Sequence, residues 1–262
     1  MRKHVFTIAS LICVAVFSTL SAGTLREHFD ETYRLDKGGT LLLSNTNGSI
    51  TVESWDRNEV RIEAEKRVKA RDRRLAEEVM EELKIDIRHK NDYIEIDTKI
   101  PKRRRGFLDS FFGDNVSVSV QYRLKVPSEV SLDISTVNGP VEVSEVTGKM
   151  EVRSTNGRIE IQESKGSIRA KTTNGGIEVE LLEFDEDEDM YFKTTNGGIT
   201  VYFPENFRAY VDARTTNGGI KTDFPIEVRG EISKKRLKGA INGGGGRIEL
   251  HTTNGGIRIR ER

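Results

Sequence analysis

A short Thr-Asn-Gly unit recurs along this chain, and each copy lies between two stretches in which apolar and polar residues alternate. Around Asn174, Ile168 and Ala170 precede the unit, and Ile177 and Val179 follow it. Alternation with period two is the pattern of a β-strand with one buried face. Asn-Gly is a common tight turn, because glycine lacks Cβ and asparagine tolerates positive φ. Each copy therefore predicts a strand, a turn and a second strand.

Seven copies share this pattern, one of them with Val137 where the others have threonine. The predicted structural turns are Asn47, Gly48, Asn138, Gly139, Asn156, Gly157, Asn174, Gly175, Asn196, Gly197, Asn217, Gly218, Asn254 and Gly255. From Gly139 to Gly175 a glycine recurs every nine positions, which leaves about five residues of strand between turns.

A nine-residue unit fits either an antiparallel meander or a β-solenoid with coils of about eighteen residues. In a solenoid, equivalent residues stack at the strand spacing of ~4.8 Å, so repeated Thr and Asn side chains can hydrogen-bond along a ladder. A meander requires only generic turn residues. Because Thr and Asn repeat together with Gly, the sequence favours an all-β, repetitive β-solenoid that resembles a β-helix.

The segment between the first and second copies has a different pattern. Leu75, Val79 and Leu83 lie at helical spacing, which predicts one helix over about 71–83. We therefore divide the mature chain into a first β repeat at 24–54, an α+β insertion or cap at 55–127, and a β-strand repeat domain at 128–262. The cap is expected to cover one end of the stack, and the charged residues 258–262 are expected to cover the other.

Residues 1–23 have the pattern of a secretory signal peptide: two basic residues, an apolar run from Val5 to Phe17, and small residues ending at Gly23. Cleavage near Gly23 leaves 40 basic against 42 acidic residues and no cysteine. This predicts export to the periplasm, the cell envelope or the extracellular space. A balance so close to neutral gives no general attraction to nucleic acid or anionic membranes.

The run Val126-Pro127, Leu132-Asp133-Ile134, Asn138-Gly139, Val141-Glu142-Val143 and the later Thr-Asn-Gly-Gly-Ile copies resembles the bacterial "putative adhesin" family, a domain of unknown function. The resemblance covers nearly the whole mature chain. It implies an exported β-strand-repeat fold and an adhesin role that is itself largely inferred. It implies no catalytic residues and no cofactor.

Two loops carry unusual side chains. Residues 185–189 are five consecutive acids, and Asp185, Asp187 and Asp189 are weak candidates for calcium ligands. They lack the spaced ligands and the turn glycine of a dedicated calcium loop, so a solvated loop is favoured.

The second loop, within 102–113, combines cations with large apolar residues and is a candidate contact for a partner or a peripheral membrane surface. Its candidate residues are Arg103, Arg104, Arg105, Phe107, Leu108, Phe111 and Phe112. Alternatively, its aromatic side chains fold back onto the solenoid end.

No catalytic motif is present, and His28, His89 and His251 are far apart in the sequence. We expect a non-enzymatic, exported β-repeat protein without cofactor, which presents a surface to a protein or a glycan and not to nucleic acid. Exposed Thr173 and Thr195 would contribute hydroxyls to that surface. One alternative is a carbohydrate-active β-helix enzyme, which requires carboxylates and an arginine in one groove. Another is an envelope-stress or signalling component that uses the basic and aromatic loop.

Overall fold

The computed structural model describes residues 23–101, 116–184, 188–228 and 233–262. The N-terminal elements are β1 (Thr24–Arg34), β2 (Thr40–Ser44), β3 (Ile50–Trp55), β4 (Glu59–Lys69), α1 (Arg73–Glu82), β5 (Lys84–Lys90), β6 (Tyr93–Lys99) and β7 (Ser117–Pro127). The central strands are β8 (Ser131–Ser135), β9 (Val141–Ser144), β10 (Met150–Arg153), β11 (Ile159–Ser164), β12 (Ile168–Lys171), β13 (Ile177–Leu181), β14 (Met190–Asn196) and β15 (Ile199–Phe203). The C-terminal strands are β16 (Ala209–Asn217), β17 (Ile220–Thr222), β18 (Ile226–Val228), β19 (Arg236–Ile241), β20 (Gly246–Asn254) and β21 (Ile257–Glu261).

The strands of the described residues form two sheets around one apolar core. Sheet A has the order β1-β4-β7-β3-β9-β11-β13-β15-β21-β17. Sheet B has the order β18-β19-β16-β20-β14-β12-β10-β8-β2-β6-β5. Each repeat contributes one strand to sheet B, the Asn-Gly turn, and one strand to sheet A, so that a repeat is one coil.

Equivalent strands of neighbouring coils are parallel and in register. In sheet B, Met150 lies between Leu132 and Ile168, and all three side chains are buried. In sheet A, Ile159 lies between Val141 and Ile177 in the same way. Parallel pairing of equivalent residues confirms the predicted β-solenoid and excludes the meander for these repeats.

The order of the coils in space differs from their order in the chain. The first coil, β2 and β3, lies between the coil of β6 and β7 and the coil of β8 and β9. The last coil, β20 and β21, lies between the coil of β14 and β15 and the coil of β16 and β17. The prediction that residues 258–262 cover an end of the stack is therefore wrong, because β21 is an interior strand of sheet A.

The N-terminal end of the stack is covered by β4 paired with β1, by α1, and by β5. The helix begins after Asp72, whose side chain accepts a 2.9 Å hydrogen bond from the Leu75 N–H. This is a standard N-cap interaction, and it lowers the pKa of Asp72. The apolar stripe that includes Leu75 and Val79 is buried in the common core. Segment 55–127, which was predicted to be an insertion or cap, thus also contains one complete coil, β6 and β7.

Candidate functional site

The seven repeat asparagines form one continuous side-chain ladder along an edge of the solenoid. Each Nδ2 donates to Oδ1 of the asparagine in the preceding coil, over 2.7 Å in five steps and 2.8 Å in the last. In spatial order the ladder contains Asn47, Asn138, Asn156, Asn174, Asn196, Asn254 and Asn217. At its first member, Nδ2 of Asn47 donates to the carbonyl of Val118 over 3.1 Å.

The Asn-Gly turn was predicted to use positive φ, but its two residues have a different structural role. Among the described non-glycine residues only Glu145, Glu163 and Asn242 have positive φ, so the ladder asparagines do not use the left-handed region. The glycine that follows each of them lies against the backbone of the next coil: a Cβ on Gly175 would be 2.1 Å from the carbonyl oxygen of Gly157. Glycine is required mainly because the coils approach each other this closely. Asparagine is required because its side-chain amide hydrogen-bonds to the next asparagine along the stack.

A row of buried hydroxyls lies inside the ladder, two residues before each asparagine except Asn47, where the position holds Asn45. Five of the hydroxyls donate to the carbonyl of the glycine in the adjacent coil, as Thr194 does to Gly175 over 2.8 Å, whereas the Thr136 hydroxyl has no such partner. The other donors are Ser154 (3.3 Å), Thr172 (2.9 Å), Thr215 (2.8 Å) and Thr252 (2.8 Å). These residues are not among the predicted site residues. The signal was available, since the period of two from Met190 and Phe192 points Thr194 inward.

In five neighbouring coils the threonine directly before the asparagine faces outward. We call Thr155, Thr173, Thr195, Thr253 and Thr216, in spatial order, the Thr column; Thr195 is half-buried and the other four are exposed. Together with the ladder asparagines they form the Thr–Asn face. Its hydroxyls repeat at the strand spacing of ~4.8 Å. In the coil of β8 and β9 the same position is occupied by Val137, which is 41% exposed.

The two neighbouring threonines allow a direct comparison of the inner and outer hydroxyls. Thr194→Val is expected to lower the free energy of unfolding by about 1–2 kcal/mol, because it leaves the Gly175 carbonyl without a buried donor. Thr195→Val removes an outward hydroxyl and should change stability by less than ~0.5 kcal/mol. Urea denaturation of both variants measures the difference. Equal effects would show that the inner hydroxyls do not stabilise the stack.

The other predicted site residues are not brought together. Asp185, Asp187 and residues 102–113 lie outside the described part of the chain. Asp189 accepts a 2.9 Å hydrogen bond from the Arg247 N–H, and its carbonyl accepts from the Ser167 hydroxyl. In the ranges that the structure describes, no cluster of His, Cys, Asp and Glu is able to hold a metal ion.

His28, His89 and His251 lie on different strands. His28 is on β1 at 3.8 Å from Glu65, and His89 is on β5 against the ring of Tyr33. His251 is on β20, with its ring 5.9 Å from that of Tyr191.

A groove of about 680 Å³ lies between β1 and the β5–β6 hairpin. Its apolar lining is Phe29, Tyr33, Ile85 and Ile87, and its charged lining is Glu31, Asp86, Arg88, Asp97 and Lys99. The charged groups have close partners: the Tyr33 hydroxyl donates to Glu31, Lys99 to Asp97, and Arg88 to Glu95. Burial raises the pKa of Tyr33, and the bond to Glu31 raises it further. The Tyr33–Glu31 and Lys99–Asp97 contacts each lie within one strand, and the Arg88–Glu95 contact joins β5 to β6.

The helix content of the described residues is limited to α1, whose ten residues are too few and too polar to cross a bilayer.

Three solved structures are similar to this chain over most of its length. A "putative cell adhesion protein" from Clostridium sporogenes ATCC 15579 has 12% identity and a TM-score of 0.46, with 90% of this chain and 100% of that chain covered. A "putative adhesin" from Bacteroides fragilis NCTC 9343 has 11% identity and a TM-score of 0.44, with 90% and 97% covered. Another, from Parabacteroides distasonis ATCC 8503, has 10% identity and a TM-score of 0.34, with 88% and 96% covered. At these values the similarity carries no functional argument.

No curated protein matches the sequence. A family model described as "Toastrack DUF4097", a domain of unknown function, matches residues 130–260. The matched region extends from the start of β8 almost to the end of β21 and contains every ladder asparagine except Asn47. The chain belongs to the Toastrack DUF4097 family.

Proposed function

We propose that this protein is a non-enzymatic, exported β-repeat protein that binds a partner in the cell envelope through the Thr–Asn face. The observation that carries the proposal is the alignment of the outward threonines beside the asparagine ladder. The ladder holds this face rigid, so little conformational entropy is lost when a partner binds.

The donor and acceptor inventory supports a polar partner. Each interior ladder asparagine uses one N–H of its amide and one lone pair of its carbonyl oxygen within the ladder, so a second N–H remains. Each outward threonine adds a hydroxyl that is both a donor and an acceptor. One coil therefore offers a hydroxyl and an amide N–H, repeated along the solenoid, which suits the repeated hydroxyls of a glycan or the backbone of a protein.

One further observation supports export. Residues 1–23 have the signal-peptide pattern. The proposal assigns no catalytic residue, since the described carboxylates and histidines do not converge.

The test compares two double variants for co-sedimentation with purified bacterial cell-envelope fragments. T173V/T195V removes two hydroxyls from the Thr–Asn face and should weaken binding about thirtyfold, because each of the two hydrogen bonds contributes about 1 kcal/mol. T51V/T200V removes two half-buried hydroxyls from the outward side of sheet A and should bind like the wild type.

Full-length protein for this test is expressed in bacteria and recovered from the exported fraction, with a mature N-terminus near Gly23. Recovery only from the cytoplasm with Met1 retained would contradict export. Equal binding of the two double variants would remove the Thr–Asn face from the proposal, and wild-type protein that does not sediment with the fragments would overturn it.

A further inference from the structure

Basic side chains are stacked along the outward side of sheet B, although the chain as a whole is close to neutral. One basic residue from each of six neighbouring strands, β10, β12, β14, β20, β16 and β19, occupies the same register position. In spatial order they are Arg153, Lys171, Lys193, His251, Arg214 and Arg236. We call this set the basic column.

Like charges on adjacent strands repel each other at this spacing of ~4.8 Å. Two members are neutralised locally: Arg153 pairs with Asp133 and Glu151, and Arg214 pairs with Asp212. Burial raises the pKa of Asp212, but the hydrogen bonds from Arg214 lower it overall, so this carboxyl is ionised at neutral pH.

Three members have no such partner. In the part of the chain that the structure describes, no carboxylate lies within 4.0 Å of the charged atoms of Lys171, Lys193 or Arg236, and all three residues are exposed. The Lys171 ammonium lies 5.1 Å from the ring centre of Tyr191. Aligned cations without counter-charges on the protein are available to an anionic ligand.

His251 lies in the middle of the basic column, between Lys193 and Arg214. Burial lowers the pKa of its imidazole most strongly, Glu249 and Asp212 oppose this, and the two flanking cations add to the lowering. The ring is therefore neutral at pH 7, which reduces repulsion within the column and leaves the flanking cations in place.

The described strands of sheet A have no comparable column of cations on their outward side. At one register position Glu142, Glu160 and Glu178 are followed by Thr200 and Arg258, and Thr51 separates them from Arg123. The near-zero net charge therefore does not reveal the alignment of cations on sheet B. Whole-chain charge describes general attraction, whereas a ligand that lies along one face experiences the local field.

We infer that the basic column binds a linear polyanion laid along the solenoid axis, an inference that rests on the proposed function and names its ligand class. The anionic groups would lie on Lys171, Lys193 and Arg236. The Thr column lies two residues further along the same strands, at about 7 Å, on the same outward side. A polymer that carries both anionic groups and hydroxyls, such as an acidic polysaccharide, can contact both columns at once.

The test measures binding of two purified polymers to the mature protein by fluorescence titration in 50–300 mM salt. Polygalacturonate presents carboxylates and inorganic polyphosphate presents phosphates, so the pair distinguishes the two sources of negative charge. We expect the triple variant K171Q/K193Q/R236Q to bind at least one polymer more than tenfold more weakly than the wild type, with a smaller dependence on salt. Neutral dextran should not bind.

The matched control is R123Q/K221Q/R258Q, which removes three exposed cations from the outward side of sheet A with the same change in net charge. It should bind within about twofold of the wild type. Equal losses in the two triple variants, or binding of an oligonucleotide but of neither polymer, would overturn the inference. A change in oligomeric state of K171Q/K193Q/R236Q without a loss of binding would also overturn it.

The two proposals fail separately. Because the polymers are purified and soluble, this titration does not depend on binding to cell-envelope fragments. Polymer binding without sedimentation overturns only the proposed function, and sedimentation without polymer binding overturns only the polyanion inference.

Discussion

Gly175→Ala is expected to lower the free energy of unfolding by about 3 kcal/mol or more, near the upper end for overpacked positions. The added Cβ would lie 2.1 Å from the carbonyl oxygen of Gly157 in the neighbouring coil. That oxygen belongs to the backbone. The same close approach recurs one coil further on, where a Cβ on Gly197 would lie 2.0 Å from the Gly175 carbonyl oxygen. The coils can separate only by breaking parallel hydrogen bonds on both sides. Urea denaturation followed by circular dichroism measures the loss.

The adjacent residue provides the control. A Cβ on Gly176 would be 3.5 Å from the Gly198 carbonyl, which is an ordinary contact. Gly176→Ala should leave stability unchanged or raise it by up to ~1 kcal/mol, because alanine restricts the unfolded chain. If both substitutions had the same effect, close approach between coils would not be the reason for glycine in the turn.

Truncation after Gly245 is expected to unfold the C-terminal part of the solenoid, and not only to remove its last coil. The deletion removes β20 and β21, which lie between β14 and β15 on one side and β16 and β17 on the other. It also removes the buried side chains of Ile248, Leu250, Ile257 and Ile259. At about 1.5–3 kcal/mol each, their burial contributes roughly 6–12 kcal/mol, comparable to the stability of a whole domain.

Amide hydrogen exchange on the 1–245 variant measures this effect. Residues 209–241 should lose protection because β16 and β17 lose their parallel partners, whereas residues 131–181 should keep theirs. In a solenoid whose coils followed the chain order, the same deletion would remove one terminal coil and leave its neighbour protected. Retained protection at 209–241 would mean that β16 moves by one strand spacing and pairs with β14, contrary to our expectation.

The repeat unit and its register are readable from the sequence because they depend on local pattern. Apolar residues at period two, such as Ile168 and Ala170, mark the buried side of each strand, and the recurring asparagine marks the turn. Stacking of identical side chains then follows from parallel pairing, which is why the ladder could be anticipated. The helix could also be predicted from a local pattern, since Leu75 and Val79 form a stripe that only a helix buries on one side.

The roles of the two threonines and of glycine required the three-dimensional structure. The period of two points Thr194 inward and Thr195 outward, but only the structure shows that the Thr194 hydroxyl donates to the Gly175 carbonyl of another coil. The turn glycine suggested positive φ, but its main constraint is a carbonyl from another coil that is distant in the sequence.

By itself the sequence determined the strand–turn–strand unit, its register and its aliphatic core, since these follow from side-chain periodicity within one coil. Only the tertiary structure decided which coils are neighbours, because near-identical coils present near-identical stacking surfaces and the period does not distinguish them. That order inserts the last coil between two earlier ones and brings His251 and Arg214 into line with Lys193. The basic column exists for this reason, and a charge count along the chain could not find it.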